Sequence, residues 1–233
     1  MAGQGVGQRV ERERPVVCVY CEDALPYNHN GCIGCGLPVF SVPAAQSPQS
    51  AKCGPCRVQS VVDLCICAMV YDPVARHLVH KLKFQRGERE GKLLAQAMAK
   101  SVETTYAETQ APLPSLLLPV PLSRLNLAMR GYNQAALLAG HLSKRLSIPM
   151  DLRLLTRRHS KPQRKKTKSQ RQRMPFNTFQ LQTRQMPARL PDHVAIIDDV
   201  MTTGRTTRVL HTLLTGAGVR QVDIWCAARV VEH

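Results

Sequence analysis

The chain has 233 residues, enough for one α/β domain of ordinary size and a small appendage. No apolar run approaches the ~18 residues that cross a bilayer, and the first 15 residues lack a signal peptide's apolar centre, so a cytoplasmic protein without a membrane span is expected. With 32 Lys and Arg against 16 Asp and Glu the formal charge is +16, a balance that calls for a polyanionic partner.

Residues 1–15 read as a disordered N-terminus and 16–59 as a Cys-rich head. Cys18 and Cys21, Cys32 and Cys35, and Cys53 and Cys56 form three CxxC pairs within 39 residues, the later ones flanked by Gly or Pro. A CxxC knuckle presents two thiolates on one tight turn, and two knuckles complete a tetrahedral Zn²⁺ site. Disulfides fit a non-secreted chain poorly, and redox use of three glycine-flanked pairs fits less well than structural zinc. The spacing leaves two quartets open: Cys32, Cys35, Cys53 and Cys56, or Cys18, Cys21, Cys32 and Cys35. The remaining cysteines, Cys65, Cys67 and Cys226, stand in strand-like apolar runs and read as small buried hydrophobes. Ser41 to Lys52, with Pro43 and Pro48, is a loop between knuckles.

From residue 60 to 233 the pattern alternates strands and helices, which implies a parallel sheet with right-handed crossovers. Val61 to Tyr71 is a strand, Val74 to Phe84 a helix opened by Asp72-Pro73, and Gly87 to Val102 a second helix with Leu93, Leu94, Ala97 and Met98 on one face. Leu116 to Val120 is a strand, Leu122 to Gly131 a loop, and Asn133 to Leu146 a helix. No acidic residue stands between Asp151 and Asp192, while 12 Lys and Arg do; nine of these fall from Arg157 to Arg173. The span 156–176 is therefore expected to be a basic flexible loop.

Val194 to Ile197 is an unbroken apolar strand that runs into Asp198 and Asp199, and Thr206 to Leu214 is helical. Between them Thr202, Thr203, Gly204 and Arg205, together with Thr206 and Thr207, place a tight turn and a helix N-terminus at the strand's carboxyl end, where a phosphate is held by backbone N–H groups. Two adjacent carboxylates accept hydrogen bonds from two neighbouring ribose hydroxyls. Acid pair plus phosphate cradle describes 5-phosphoribosyl-1-pyrophosphate (PRPP). Helix capping by the aspartates is the plain alternative. A Walker-type ATPase is not supported, because Gly87 to Leu93 is one residue short of a P-loop and has no Ser or Thr after its Lys. A further strand is Val222 to Ala227.

The stretch 194–207 resembles the PRPP loop of type I phosphoribosyltransferases. Pro119 to Arg124 and Met129 to Ala139, containing Arg130-Gly131-Tyr132-Asn133-Gln134, resemble the signature of the competence protein F (ComF/GntX-like) family. So do His80 to Phe84 and the stretch of Arg157, Arg158, Gln163, Arg171, Arg173 and Phe179. The resemblance runs from Cys18 to Arg229, with three CxxC pairs where that family often has four.

It implies a type I phosphoribosyltransferase fold with an N-terminal zinc ribbon serving as hood. Pyrophosphate would be bound by Lys83, Arg124, Arg130, Gly131, Asn133 and Gln134, and Arg157, Arg158, Gln163, Arg164, Lys165, Lys166, Lys168, Arg171 and Arg173 would form a loop that closes on substrate and meets nucleic acid. Catalysis by Asp198 and Asp199 with Mg²⁺-PRPP would pass the phosphoribosyl group to an unidentified acceptor, in a DNA uptake or DNA utilisation role. The alternative is a non-catalytic PRPP-sensing protein that binds single-stranded DNA beside the competence machinery. With only ten aromatic residues, backbone-tracking contacts are favoured over base stacking.

Overall fold

The computed structural model describes residues 16–39, 51–60, 62–85, 87–158, 178–182 and 190–231. The expected disordered N-terminus, most of the loop between knuckles, and Gln163, Arg164, Lys165, Lys166, Lys168, Arg171 and Arg173 lie outside the described residues. In chain order the elements are α1 (Val19–Asp23), α2 (Gly54–Val58), β1 (Leu64–Val70), α3 (Pro73–Phe84), α4 (Glu88–Thr109), β2 (Leu116–Pro119), α5 (Arg124–Arg130), α6 (Gln134–Leu146), β3 (Leu155–Arg157), β4 (Phe179–Leu181), β5 (His193–Met201), α7 (Arg205–Thr215) and β6 (Gln221–Arg229).

Four strands pair in parallel in the order β1-β6-β5-β2, and β3 and β4 form a separate antiparallel pair. Alternate side chains of each strand feed opposite layers. On one face Ile66, Leu117, Ile197 and Trp225 meet Leu82 of α3, Leu94 and Met98 of α4, and Leu138 and Leu142 of α6. On the other, Leu118, Ile196, Val222 and Ile224 meet Val209, Leu210 and Leu214 of α7 and the hairpin's Leu155 and Phe179. Each such large side chain, once buried, contributes roughly 1.5–3 kcal/mol.

Both sheet edges are covered. Main chain of the head lies along β1, where Cys65 N–H donates to Ile33 O at 2.7 Å and Asn28 N–H to Ala68 O at 2.9 Å. Outside β2, Leu117 N–H donates to Pro149 O at 2.9 Å. No open ladder is left at these positions for another chain. At the sheet's amino end, buried Asp223 accepts from Tyr106 Oη and lies 2.6 Å from His193 Nε2, a satisfied network remote from the strands' carboxyl ends.

The layering fixes where a ligand fits. The chain leaving β2 passes to the α6 face, while the chain leaving the adjacent β5 passes to the α7 face. Connections that diverge to opposite faces open a crevice at the carboxyl ends of the two strands between them.

Several element boundaries differ from the sequence expectation. The acid pair lies inside β5, because ladder pairing with β6 continues to Met201 and Arg229. Pairing with β2 stops at Ile197, so Asp198 and Asp199 project beyond the shorter neighbour. The expected loop from Leu122 is in part a helix: Ser123 Oγ accepts from Asn126 N–H at 3.2 Å at the start of α5, and Gly131, at φ 78°, closes it. α4 runs on to Thr109, seven residues past Val102, because buried Val102, Thr105 and Tyr106 continue its apolar face.

Candidate functional site

α7 begins without a side-chain cap. Its N-cap is Gly204 at φ 69°, a left-handed conformation that a β-carbon would strain, and no acidic residue stands in the first turn. Among the helices longer than five residues, α3, α5 and α6 are capped by Asp72, Ser123 and Asn133, and α4, which also lacks a capping side chain, has Glu88 and Glu90 in its first turn; the five-residue α1 and α2 are uncapped too. The N-terminus of α7 thus keeps its positive end and its donors for an anion from outside the chain. Asp198 lines the same crevice as Thr202, Thr203, Gly204, Arg205, Thr206 and Thr207. Thr202, Thr203 and Arg205 are exposed there, whereas Thr207 is buried and its hydroxyl donates to Gly204 O at 2.8 Å. Thr207 therefore shapes the turn with its side chain.

The two carboxylates differ. Asp199 is buried and ion-paired with Lys83 Nζ at 2.8 Å. Asp198 accepts from the Asp199 N–H at 2.9 Å, and burial, followed by the neighbouring Asp199 carboxylate, pushes its carboxyl well above the usual range. One carboxylate is neutralised by a cation, while the other, with one main-chain donor outweighed by burial and its neighbour, is eased toward ionisation by further donors. Sugar hydroxyls are such donors.

Lys83 also lines a cavity of about 290 Å³ with Phe84, Ala128, Met129, Arg130 and Gly131, so it joins the acid pair to the arginine–glycine turn. Arg130 donates to Gln134 Oε1 at 3.0 Å and its guanidinium lies 5.5 Å from the Phe84 ring centroid. Asn133 caps α6 through Ala135 N–H at 3.0 Å and donates to Val120 O at 3.0 Å. Gln134 Nε2 is buried with no hydrogen-bond partner among the described residues.

Arg124 and Asn133 line a second cavity of about 570 Å³, together with Arg157, Arg158, Gln180 and Gln182 of the hairpin. Of the residues expected to hold pyrophosphate, Lys83, Arg130 and Gly131 line the first cavity and Arg124 and Asn133 the second, while buried Gln134 lines neither. Among the described residues, no acidic side chain lines the larger one.

In the head, the sulfurs of Cys32, Cys35, Cys53 and Cys56 all lie within 4.8 Å of one another. Cys35 and Cys53 Sγ are 3.7 Å apart, close to the about 3.8 Å that four Zn–S bonds of roughly 2.3 Å impose in a tetrahedron. Cys32 Sγ accepts from the N–H groups of Cys53 at 3.2 Å and Gly34 at 3.4 Å. The Cys35 thiol, then these amides, hold Cys32 down to about 4. Burial pushes Cys56 up to about 12, the pattern of crowded thiols that a divalent cation relieves. Gly34 permits the approach of the two knuckles, since a β-carbon there would sit 2.8 Å from Cys56 Cβ. The donor set fits zinc, and of the two quartets the sequence left open this is the one assembled. Cys18 and Cys21 lie exposed at α1, outside it, and among the described residues no third metal-binding side chain joins them. Cys65, Cys67 and Cys226 are buried in the sheet, as expected.

Two arginines escaped the sequence reading. Arg208 Nη2 donates to Thr203 O at 3.3 Å and so sits beside the phosphate turn. Arg229 is 6% exposed and reaches from the head to the same turn, donating to the carbonyls of Cys35, Met201, Thr202 and Val230. Arg208 was within reach of sequence reasoning, one helical turn after Gly204; Arg229, far along the chain, was not.

No family model matches the chain. It is 31% identical over 224 residues to competence protein F of Haemophilus influenzae, covering 91% of this chain and 96% of that protein. It is 32% identical to DNA utilization protein YhgH of Salmonella typhi, over 92% of this chain and 91% of the relative, and 30% identical to the protein of that name in Escherichia coli K12, with the same coverage. Among solved structures, a purine phosphoribosyltransferase from Pyrococcus horikoshii aligns with 58% of this chain and 70% of its own at a TM-score of 0.32 and 20% identity. Near-complete coverage at these identities, joined to the acid pair, the arginine–glycine turn and the four-cysteine head, shows that the chain belongs to the competence protein F and DNA utilization protein YhgH family.

Proposed function

We propose that this protein binds PRPP with Mg²⁺ at the carboxyl end of β5 and transfers its phosphoribosyl group to an acceptor, in a role in DNA uptake or utilisation. The observation that carries the reading is the uncapped, acid-free N-terminus of α7 sharing one crevice with Asp198, with Asp199 beside it on Lys83. The turn from Thr202 to Thr207 holds the 5′-phosphate through main-chain N–H groups and the helix's positive end. Asp198 and Asp199 take hydrogen bonds from the two ribose hydroxyls. As the bond from C1 to the pyrophosphate oxygen breaks and a bond from the acceptor forms, these carboxylates stabilise the positive charge that gathers on the ring. Lys83 and Arg130 hold the departing pyrophosphate. Mg²⁺, when bound, neutralises part of the pyrophosphate charge.

The test is pyrophosphate release on incubation with Mg²⁺-PRPP, scanning nucleobases, amines and single-stranded DNA as acceptors. Release that depends on one acceptor supports transfer. PRPP binding without release under any acceptor supports the second reading, a PRPP-sensing protein that holds single strands. That reading is favoured by the cleft of Arg124, Arg157 and Arg158, which no acidic side chain lines among the described residues, and by the +16 charge. Absence of PRPP binding refutes both.

A further inference from the structure

We propose that Arg229 is a positioning residue that ties the four-cysteine site to the phosphate turn, so that metal at the first and phosphorylated ligand at the second bind cooperatively. The ligand half of this proposal rests on the PRPP reading above.

Arg229 is the last residue of β6 and lies opposite Met201, the last residue of β5, in the parallel ladder. From there its Nε donates 2.9 Å to Cys35 O, the carbonyl of a zinc-fitting cysteine. Its Nη1 donates 3.2 Å to Met201 O, 2.6 Å to Val230 O, and also to Thr202 O. Met201 ends β5 and Thr202 starts the phosphate turn, so one guanidinium spans the knuckle and the point where the chain enters the turn. Met201 also lies against the sheet's buried sulfur row, 4.0 Å from Cys65 Sγ.

The arrangement is costly for a plain structural arginine. The side chain is buried, its partners among the described residues are all carbonyl oxygens, and none is a carboxylate. A buried unpaired cation is strongly disfavoured. Four thiolates around one divalent zinc carry two net negative charges, so a metal-loaded knuckle places the missing counter-charge at the Cys35 end of the guanidinium. The metal also pins the Cys35 carbonyl, and with it the direction in which Arg229 holds Met201 and Thr202. Without metal, that end keeps only hydrogen bonds such as Asn28 Nδ2 to Gly36 O at 2.8 Å and Cys65 N–H to Ile33 O at 2.7 Å, and the turn's anchor is looser. A planar fork of donors can bridge these four peptide carbonyls, whereas a lysine ammonium cannot span them in the same geometry.

Coupling of this kind is reciprocal: if metal raises affinity for the phosphorylated ligand by some factor, ligand raises affinity for metal by the same factor, and couplings between sites are typically 5- to 150-fold. The experiment uses the full chain, zinc-loaded and zinc-depleted, titrated with PRPP in Mg²⁺, and separately titrated with Zn²⁺ with and without PRPP. The proposal expects zinc to tighten PRPP binding about tenfold and PRPP to tighten zinc binding by the same factor. Arg229→Gln still takes up zinc, but both factors fall to about one, and Arg229→Lys restores neither fully.

A second readout needs no PRPP. Amide hydrogen exchange across residues 201–207 rises on zinc removal in the wild-type protein and is already high in zinc-loaded Arg229→Gln. Coupling that survives in Arg229→Gln, or exchange across 201–207 that ignores zinc, overturns the proposal. Failure of the PRPP reading shows differently, as zinc-loaded wild-type protein that does not bind PRPP while its exchange still responds to zinc. If Arg229→Gln does not fold, the zinc response of the wild-type turn decides alone.

Discussion

Asp198→Asn separates a ligand-binding carboxylate from a structural one, because the two predict opposite changes in stability. In the folded protein, burial and the adjacent Asp199 push the Asp198 carboxyl upward, whereas in the unfolded chain it titrates near the ordinary value of about 3.9. The folded state therefore holds its proton more tightly, and the group's contribution to stability falls as pH rises above about 3.9 toward its raised folded value. The Asn variant keeps the shape and removes the titration, so it should gain stability over the wild type as pH is raised from 4 to 8 and be indistinguishable from it at pH 4.

Binding should move the other way. Losing one charge-assisted acceptor costs roughly 1.5–3 kcal/mol, or about 10- to 150-fold in PRPP affinity. Because ribose hydroxyls favour the ionised form, PRPP binding to wild type at acidic pH should release a proton that the Asn variant does not, read as a dependence of binding heat on buffer ionisation enthalpy. Urea unfolding at pH 4 and pH 8, paired with calorimetric titration, supplies all three quantities. A variant that is less stable at pH 8, with unchanged affinity, would refute the assignment.

Three further outcomes are expected. Lys83→Met leaves buried Asp199 without its cation and, because Lys83 itself is partly exposed, should destabilise the protein by about 2 kcal/mol, less than the 3–5 kcal/mol of a fully buried pair; adding Asp199→Asn should recover most of it in urea unfolding. Purified protein should carry about one equivalent of zinc, and Cys32→Ser should lose both the metal and the fall in melting temperature that a chelator causes; full stability without metal would rule the site out. Single-stranded DNA should bind weakly and without sequence preference, with a slope of log K against log salt near −3.5 if about five cations touch phosphate at roughly −0.7 each. Neutralising Arg164, Lys165, Lys166 and Lys168 should flatten that slope, and a salt-independent affinity would show the run to be only a solvated surface.

The parts of the fold that were legible in the sequence are those whose signals are local. β5 and α7 declare themselves through an unbroken apolar run, a glycine and a new helical period, and the knuckles through CxxC spacing. α5 carries no such signal, because Leu125 and Met129 face solvent and none of its residues is buried, so no apolar period marks it. Its existence rests on the Ser123 cap and the Gly131 closure, worth about 1 kcal/mol for a good cap. β3 and β4 have three residues each, too few for alternation to register. The pairing of Lys83 with Asp199 and the reach of Arg229 to Cys35 join residues over a hundred positions apart, and only the parallel crossovers bring them together. Choosing between the cysteine quartets likewise depended on how the second knuckle docks at Gly34.

The central claim, that the β5 acids hold a ribose while the α7 turn holds its phosphate, is tested most directly by calorimetric titration of the zinc-loaded protein with PRPP in Mg²⁺, alongside the Asp198→Asn, Asp199→Asn double variant. The account predicts saturable binding to wild type, competed by ribose 5-phosphate, and at least about tenfold weaker binding to the double variant, since each lost charge-assisted hydrogen bond is worth roughly 1.5–3 kcal/mol. Equal affinity in the two proteins, or no saturable binding to wild type, would contradict it.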